Sequence, residues 1–377
     1  MKNIDYMLAR LYDLNRGQLF STWNKSRLNK YSDNRKQIFH EKLGKLFSDV
    51  IENYDFSLPM DLVLCREVMN FFSRSINLLD NNTINVVPHE MIECLNVALK
   101  GWIDDYNKYI IVTTDGDYCI YLLGKSIDVT YQNIKNLYGI DFSYKLVNVQ
   151  LPKYLLRDYL TNVVLYHELG HFVDNHYKLT ETIYPEILKI DRYELINSYF
   201  PFLAKSFTPD EIRYVLCNHI REFFADLFAS QYVGSNCCNF LDYLAHDRPK
   251  ALFSPTHPSL FYRKKIVEDF LNGVSNPVLD IIKNTVHTVT GKDLKVRFTN
   301  LPPDDFYNLV PINITDEQEL HSLFKLGWDV YLAGGEYFRD ANAMSYIPSQ
   351  SEVYNIVNNL IEKSINNFLI VDSWNKH

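Results

Sequence analysis

Apolar residues recur at three- and four-residue intervals through most of this chain, the spacing that lines one face of a helix. "RKQIFHEKLGKLFSDVIENY" and "LVLCREVMNFFSRSINLL" carry it within the first hundred residues. Two segments break the period. In "KYIIVTTDGDYCIYLL", β-branched and aromatic runs flank Asp115-Gly116-Asp117, which predicts a hairpin. "YKLVNVQL" predicts a further strand ahead of Pro152. The helical period then resumes over about 153–173.

A second helix is announced more fully. "TPDEIRYVLCNHIREFFADLFASQYV" opens with Thr208 as N-cap, Pro209 at the first helical position and Glu211 closing a capping box, and Gly234 stops it. "HDRPKALFSPTHPS" reads as a loop, and "LFYRKKIVEDFLNG" as a short helix. "SNPVLD" marks a composition break near residue 275, and a loop-rich stretch with "NLPPDD" follows. Thr315 with Gln318 opens a helix that closes at Gly334-Gly335, and a last helix spans about 352–370. These elements predict an α+β, mainly helical fold, with a small β-sheet beside the helix over 153–173. They divide the chain into a helical N-terminal region (1–105), a core (106–275) and a mainly helical C-terminal region (276–377).

Composition narrows the function classes. The net charge is −8 with no compensating basic cluster, which argues against nucleic acid as a partner. No window approaches the roughly 20 apolar residues of a membrane span, and "MKNIDYMLARLYDLNRGQLF" has charges where a signal peptide is apolar. The cysteines (Cys65, Cys94, Cys119, Cys217, Cys237, Cys238) form no C-x-x-C pair, too sparse for a disulfide scaffold. A reduced, cytoplasmic setting is expected.

The chemistry concentrates in "VVLYHELGHFVDNH". Helix residues four apart are offset by only about 40°, so His167 and His171 project side by side and suit one metal ion. Glu168, about 100° round from His167, flanks that ion and is placed as general base toward a water it activates. Gly170 removes a side chain where another segment can pass close to the helix. The competing reading is a buried helix with two satisfied histidines. "HEMIE" at His89, which lacks the second histidine, reads as structural.

A catalytic zinc wants three protein ligands and an open position. "REFFADLFA" offers Glu222 as the third, and Asp226, one turn along, to accept the far ring N–H of a ligating histidine. Solvation explains these acids poorly, because their surroundings are almost wholly apolar. A third piece is "SPTHPSLFYRKK": His257 sits in a loop stiffened by Pro255 and Pro258, where it can stabilise charge building on a carbonyl oxygen. Arg263 can tie that loop to the acidic site. His176, His219 and His246 read as local structure, with His219 the nearest of them to the site. Cys237-Cys238 read as packed.

Together "HELGH", "EFFADLFA" and "THPSLFYR" resemble, in order and spacing, the CAAX prenyl protease and HtpX-like zinc metallopeptidases, a gluzincin family. The resemblance covers about 145–270. It implies a zincin-like core, one zinc per chain held by His167, His171 and Glu222, and Glu168 as catalytic base. It further implies Asp226 as the group orienting a ligand, and His257 assisting the transition state with Arg263 in support. Much of that family is embedded in membranes, and this chain departs from it there. "HELGH" and "FADLFASQYVG" also look like ImmA/IrrE-type regulatory peptidases, which cut a chosen protein. The expected activity is hydrolysis of peptide bonds in a protein or peptide substrate, one that could lie along the edge of the small sheet. Two other classes compete. Glu168-x-x-His171 fits a carboxylate-bridged di-iron site, but no second Glu-x-x-His exists in the chain. A non-catalytic interaction protein on a zincin scaffold is the other.

Overall fold

The computed structural model describes residues 2–52, 62–81, 89–116, 127–152, 157–239 and 254–375. The chain opens with helices α1 (Lys2–Ser26), α2 (Asn34–Leu46), α3 (Leu62–Asn81) and α4 (His89–Lys100). Strand β1 (Tyr109–Gly116), helix α5 (Ile127–Tyr138) and strand β2 (Lys145–Pro152) follow. Next come α6 (Val164–Tyr177), α7 (Leu179–Ile187), α8 (Arg192–Ser198) and α9 (Pro209–Val233). The last are α10 (Leu260–Leu271), α11 (Pro277–Thr290), α12 (Asp304–Tyr307), α13 (Glu319–Ala333), α14 (Glu336–Ala341) and α15 (Gln350–Asn375). The fold is mainly helical with a two-stranded parallel sheet, and no described helix is long and apolar enough to cross a membrane.

Two compact units form. One comprises Met1–Pro88 and Asp105–Leu156, the other His89–Asp104 and Arg157–His377. In the first, β1 and β2 pair in parallel, with Ile110 opposite Leu146 and Val112 opposite Asn148. Parallel strands need a crossover, and α5 lies in the chain between them. The hairpin expected at Asp115-Gly116-Asp117 is corrected in part: β1 runs on through Asp115 and Gly116, opposite Leu151 and Pro152. Asp117 and the run after it lie outside the described residues. An Asp-Gly pair is a local signal, whereas pairing follows burial across the chain. Phe39, Phe72, Val112 and Ile134 are buried in this unit's core, and Phe39 packs on Phe142 with ring centroids 4.9 Å apart. Leu146 N–H donates to the Tyr131 hydroxyl at 3.2 Å, fixing β2 against α5.

The HELGH segment belongs to the second unit, so sheet and HELGH helix fall in different units. Here α6 packs along α9. Gly170 makes the approach possible, because a Cβ there would stand 2.9 Å from Ala225 Cα and 3.0 Å from Phe228 Cβ. Around the crossing Tyr166 stacks on Tyr232 (5.4 Å between centroids), and Trp102 lies 5.4 Å from Phe228. Burying each such ring stabilises the fold by roughly 1.5–3 kcal/mol.

The helix over 153–173 starts later than its period suggests. Residues 153–156 lie outside those described, Arg157 takes a left-handed φ of 64°, and a single 3-10 turn, Thr161–Val163, leads into α6 at Val164. The backbone ahead of α6 is held from α15 and α13 instead. Asn358 Oδ1 accepts from Tyr159 N at 2.7 Å, and Trp328 Nε1 donates to Leu160 O at 2.9 Å. The break near residue 275 is the start of α11, with Asn276 as N-cap and Pro277 at its first position. The predicted capping of α9 is present: Glu211 N–H meets Thr208 Oγ1 at 3.3 Å, and Thr208 N–H meets Glu211 Oε2 at 2.8 Å.

Candidate metal centre

The centre forms where α6 faces α9. His167 and His171 lie one turn apart on α6, their rings 4.6 Å apart and nearly perpendicular. Ligating atoms of His167, Glu168 and His171 all lie within 4.8 Å of one another, a group that could hold a metal ion. The far end of α6 is fixed by Asp174, which is buried and accepts from Thr180 N at 2.7 Å and from Thr180 Oγ1 at 2.8 Å. Arg221 of α9 reaches the same carboxylate at 3.4 Å.

From α9, Glu222 faces both imidazoles at once. Its Oε2 is 3.5 Å from His167 Nε2, and its Oε1 is 3.4 Å from His171 Nε2. These separations are long for direct N–H···O hydrogen bonds, which cluster at about 2.9–3.0 Å. They match the roughly 3.3–3.4 Å between neighbouring ligand atoms around a tetrahedral zinc with bonds of about 2.0–2.1 Å. Glu222 thus reaches His167 through one oxygen and His171 through the other.

Asp226 lies one turn further along α9, against His167. Its Oδ1 accepts from His167 Nδ1 at 2.9 Å, leaving Nε2 toward Glu222. His171 has no such support, and its buried Nδ1 finds no hydrogen-bond partner among the described residues. Arg263, from α10, is more central than a loop tie. Its Nε and Nη2 donate to the two oxygens of Asp226, each at 2.7 Å, and Nη2 also lies 3.4 Å from Glu222 Oε2.

The cluster also carries charge that must be balanced. Glu168, Glu222 and Asp226 are all buried, with Arg263 as the buried cation beside them, so neutral imidazoles would leave two uncompensated negative charges. Either one divalent cation or two protons can cancel them. Burial opposes a charged His167, yet its hydrogen bond to Asp226 and the nearby carboxylates outweigh this and raise its pKa to about 10. Burial raises Glu168 to about 8. Burial and the neighbouring His167 charge lower His171 to about 3. Glu222 is also pushed up by burial, but Arg263 and the two histidines pull it well below the usual carboxylate range. The carboxylates thus divide into one held ionised, Glu222, and one pushed toward its protonated form, Glu168.

His257 is the accessible member, with 57% of its side chain exposed and Nε2 3.8 Å from Glu222 Oε1. Its Nδ1 is 2.8 Å from Thr256 Oγ1. His219, read from sequence as local structure, has a positional role: its Nε2 stands 2.9 Å from the Ser254 carbonyl, and Asn218 donates to the Pro255 carbonyl at 3.3 Å. α9 thereby holds the loop that carries His257. The signal was present in the three-residue spacing from His219 to Glu222, which puts both near one helix face. His176 stacks edge-on against Tyr177 at the end of α6. Cys237 and Cys238 are buried thiols with sulfurs 3.8 Å apart. His246 lies outside the described residues.

No protein-family model matches this chain, and comparisons with curated proteins and with solved structures find no match.

Proposed function

We propose that this protein is a zinc-dependent endopeptidase with a zincin-like core. One observation carries the reading: Glu222, delivered by a separate helix, stands 3.5 and 3.4 Å from the Nε2 atoms of the two HELGH histidines. His167, His171 and Glu222 would hold the ion, which when bound supplies Lewis acidity toward a carbonyl and lowers the pKa of a water.

The chain's own residues do the rest. Glu168, buried beside the two histidines, would in its ionised form take a proton from the attacking water and return it to the leaving amine. Asp226 fixes the His167 tautomer by accepting from Nδ1, and Arg263 holds Asp226 in both directions. His257, exposed and oriented by Thr256, offers a donor toward the carbonyl oxygen as negative charge builds there.

The test is metal content of the purified protein beside His171→Ala and Glu222→Ala, with peptide cleavage by wild type and Glu168→Gln. One zinc per chain, lost or sharply weakened in both ligand variants, and cleavage abolished in a metal-replete Glu168→Gln protein are the expected results. Zinc that survives Glu222→Ala would reassign the third ligand. A metal-replete wild type without cleavage would leave a non-catalytic scaffold.

A further inference from the structure

Beside the centre lies a cavity of about 200 Å³. Tyr199, Pro201, Phe202 and Tyr262 form its apolar walls, with His219 and His257 among its lining. The geometry points to a specificity pocket: it takes one aromatic or long apolar side chain of a polypeptide, at the residue flanking the cleaved bond. This deepens the peptidase reading and rests on it.

Position is the first argument. His257 both lines the cavity and brings Nε2 to 3.8 Å from Glu222 Oε1. An extended chain advances about 3.3 Å per residue, so a peptide held at the centre presents its neighbouring side chain at this opening. Size is the second. A dry cavity of about 150 Å³ accepts benzene, so this one accommodates a phenyl or phenol ring, or a leucine or methionine chain. It is smaller than the roughly 300–1,000 Å³ typical of sites for whole small molecules.

The walls are set in advance. The Tyr199 hydroxyl donates to Asp269 Oδ2 at 2.6 Å, and His219 meets Phe202 edge to face at 5.1 Å while contacting the Ser254 carbonyl. A side chain entering such a pocket pays little for ordering its host.

Two hydroxamates separate the pocket from the centre. Acetohydroxamate and 3-phenylpropanohydroxamate share the metal-binding group and differ in the ring. With zinc-loaded wild type, the phenyl compound should bind roughly ten- to a hundredfold more tightly. Ser259→Phe should erase that difference by filling the pocket, because Ser259 lines the cavity and its side chain makes no capping bond. Tyr262→Ala, which removes a wall, should shrink the difference in a second background. Equal binding of both compounds by wild type would overturn the pocket and leave the metal centre standing. Binding of neither would overturn the metal reading and the pocket with it.

Discussion

Arg263 grips Asp226 through both carboxylate oxygens at 2.7 Å, and the same carboxylate accepts from His167 Nδ1 at 2.9 Å. The guanidinium thus acts on the HELGH helix through an acid on α9. All three groups are buried, which makes the chain of contacts costly to interrupt.

Arg263→Met should therefore leave two buried carboxylates, Asp226 and Glu222, sharing the one cation His167, and cost about 3–5 kcal/mol, read from urea unfolding of the zinc-free protein. Arg263→Lys should recover only part, because an ammonium cannot reproduce the two parallel bonds. Full recovery by lysine would show that charge alone matters here.

Gly170→Ala should destabilise by about 1–3 kcal/mol. A methyl group gains up to about 1 kcal/mol from helix propensity, but this one would meet Ala225 Cα at 2.9 Å, a backbone atom that cannot swing aside. Gly17 in α1 provides the control: it is exposed, and a methyl group there would meet nothing within 4 Å, so Gly17→Ala should stabilise. Chemical denaturation of both variants decides whether propensity or crowding governs position 170.

A buried histidine outside the centre gives a pH signature. His321 is hydrogen-bonded to the Tyr166 hydroxyl at 2.7 Å, and burial lowers its pKa from 6.5 to about 3. The folded protein keeps it neutral while the unfolded chain protonates near 6.5. Its contribution is fully present above pH 6.5 and is lost as pH falls toward 3. The stability difference between wild type and His321→Gln should shrink by about 2 kcal/mol between pH 7 and pH 5. An unchanged difference would mean that His321 charges within the fold.

Metal removal should destabilise wild type selectively. A ligand at a hundred times its dissociation constant adds about 2.7 kcal/mol, so chelation should lower the melting temperature of zinc-loaded wild type. His171→Ala, lacking a ligand, should melt at the same temperature with or without chelator. A similar fall in both proteins would place the metal elsewhere.

Legibility in the sequence followed how local each signal was. The caps of α9, the side-by-side histidines and the Asp226–His167 contact all depend on spacing along one helix or on one acid in apolar surroundings, and they could be read directly. The start of α6 could not, because contacts from Asn358 and Trp328, far along the chain, hold the backbone before it. α11 was readable in principle: Asn276-Pro277 repeats the opening seen at Thr208-Pro209. The parallel pairing of β1 with β2 follows burial in the first unit, which a turn dipeptide does not encode. His219 was visible as a neighbour of the site, but its hold on Ser254 depends on how a separate loop returns.

His219, Glu222 and Asp226 are all presented by α9, a helix closed by Thr208 at one end and by Gly234, at a φ of 66°, at the other. Those closures set phase as well as add stability. A slip of one residue turns a helix by about 100°, and here the metal-facing acid, the acid that steadies His167 and the anchor of the His257 loop would all turn away together. Three contributions to one site are thus inherited from a single rotational setting, and two residues at the ends of the helix, neither of them in the site, keep it.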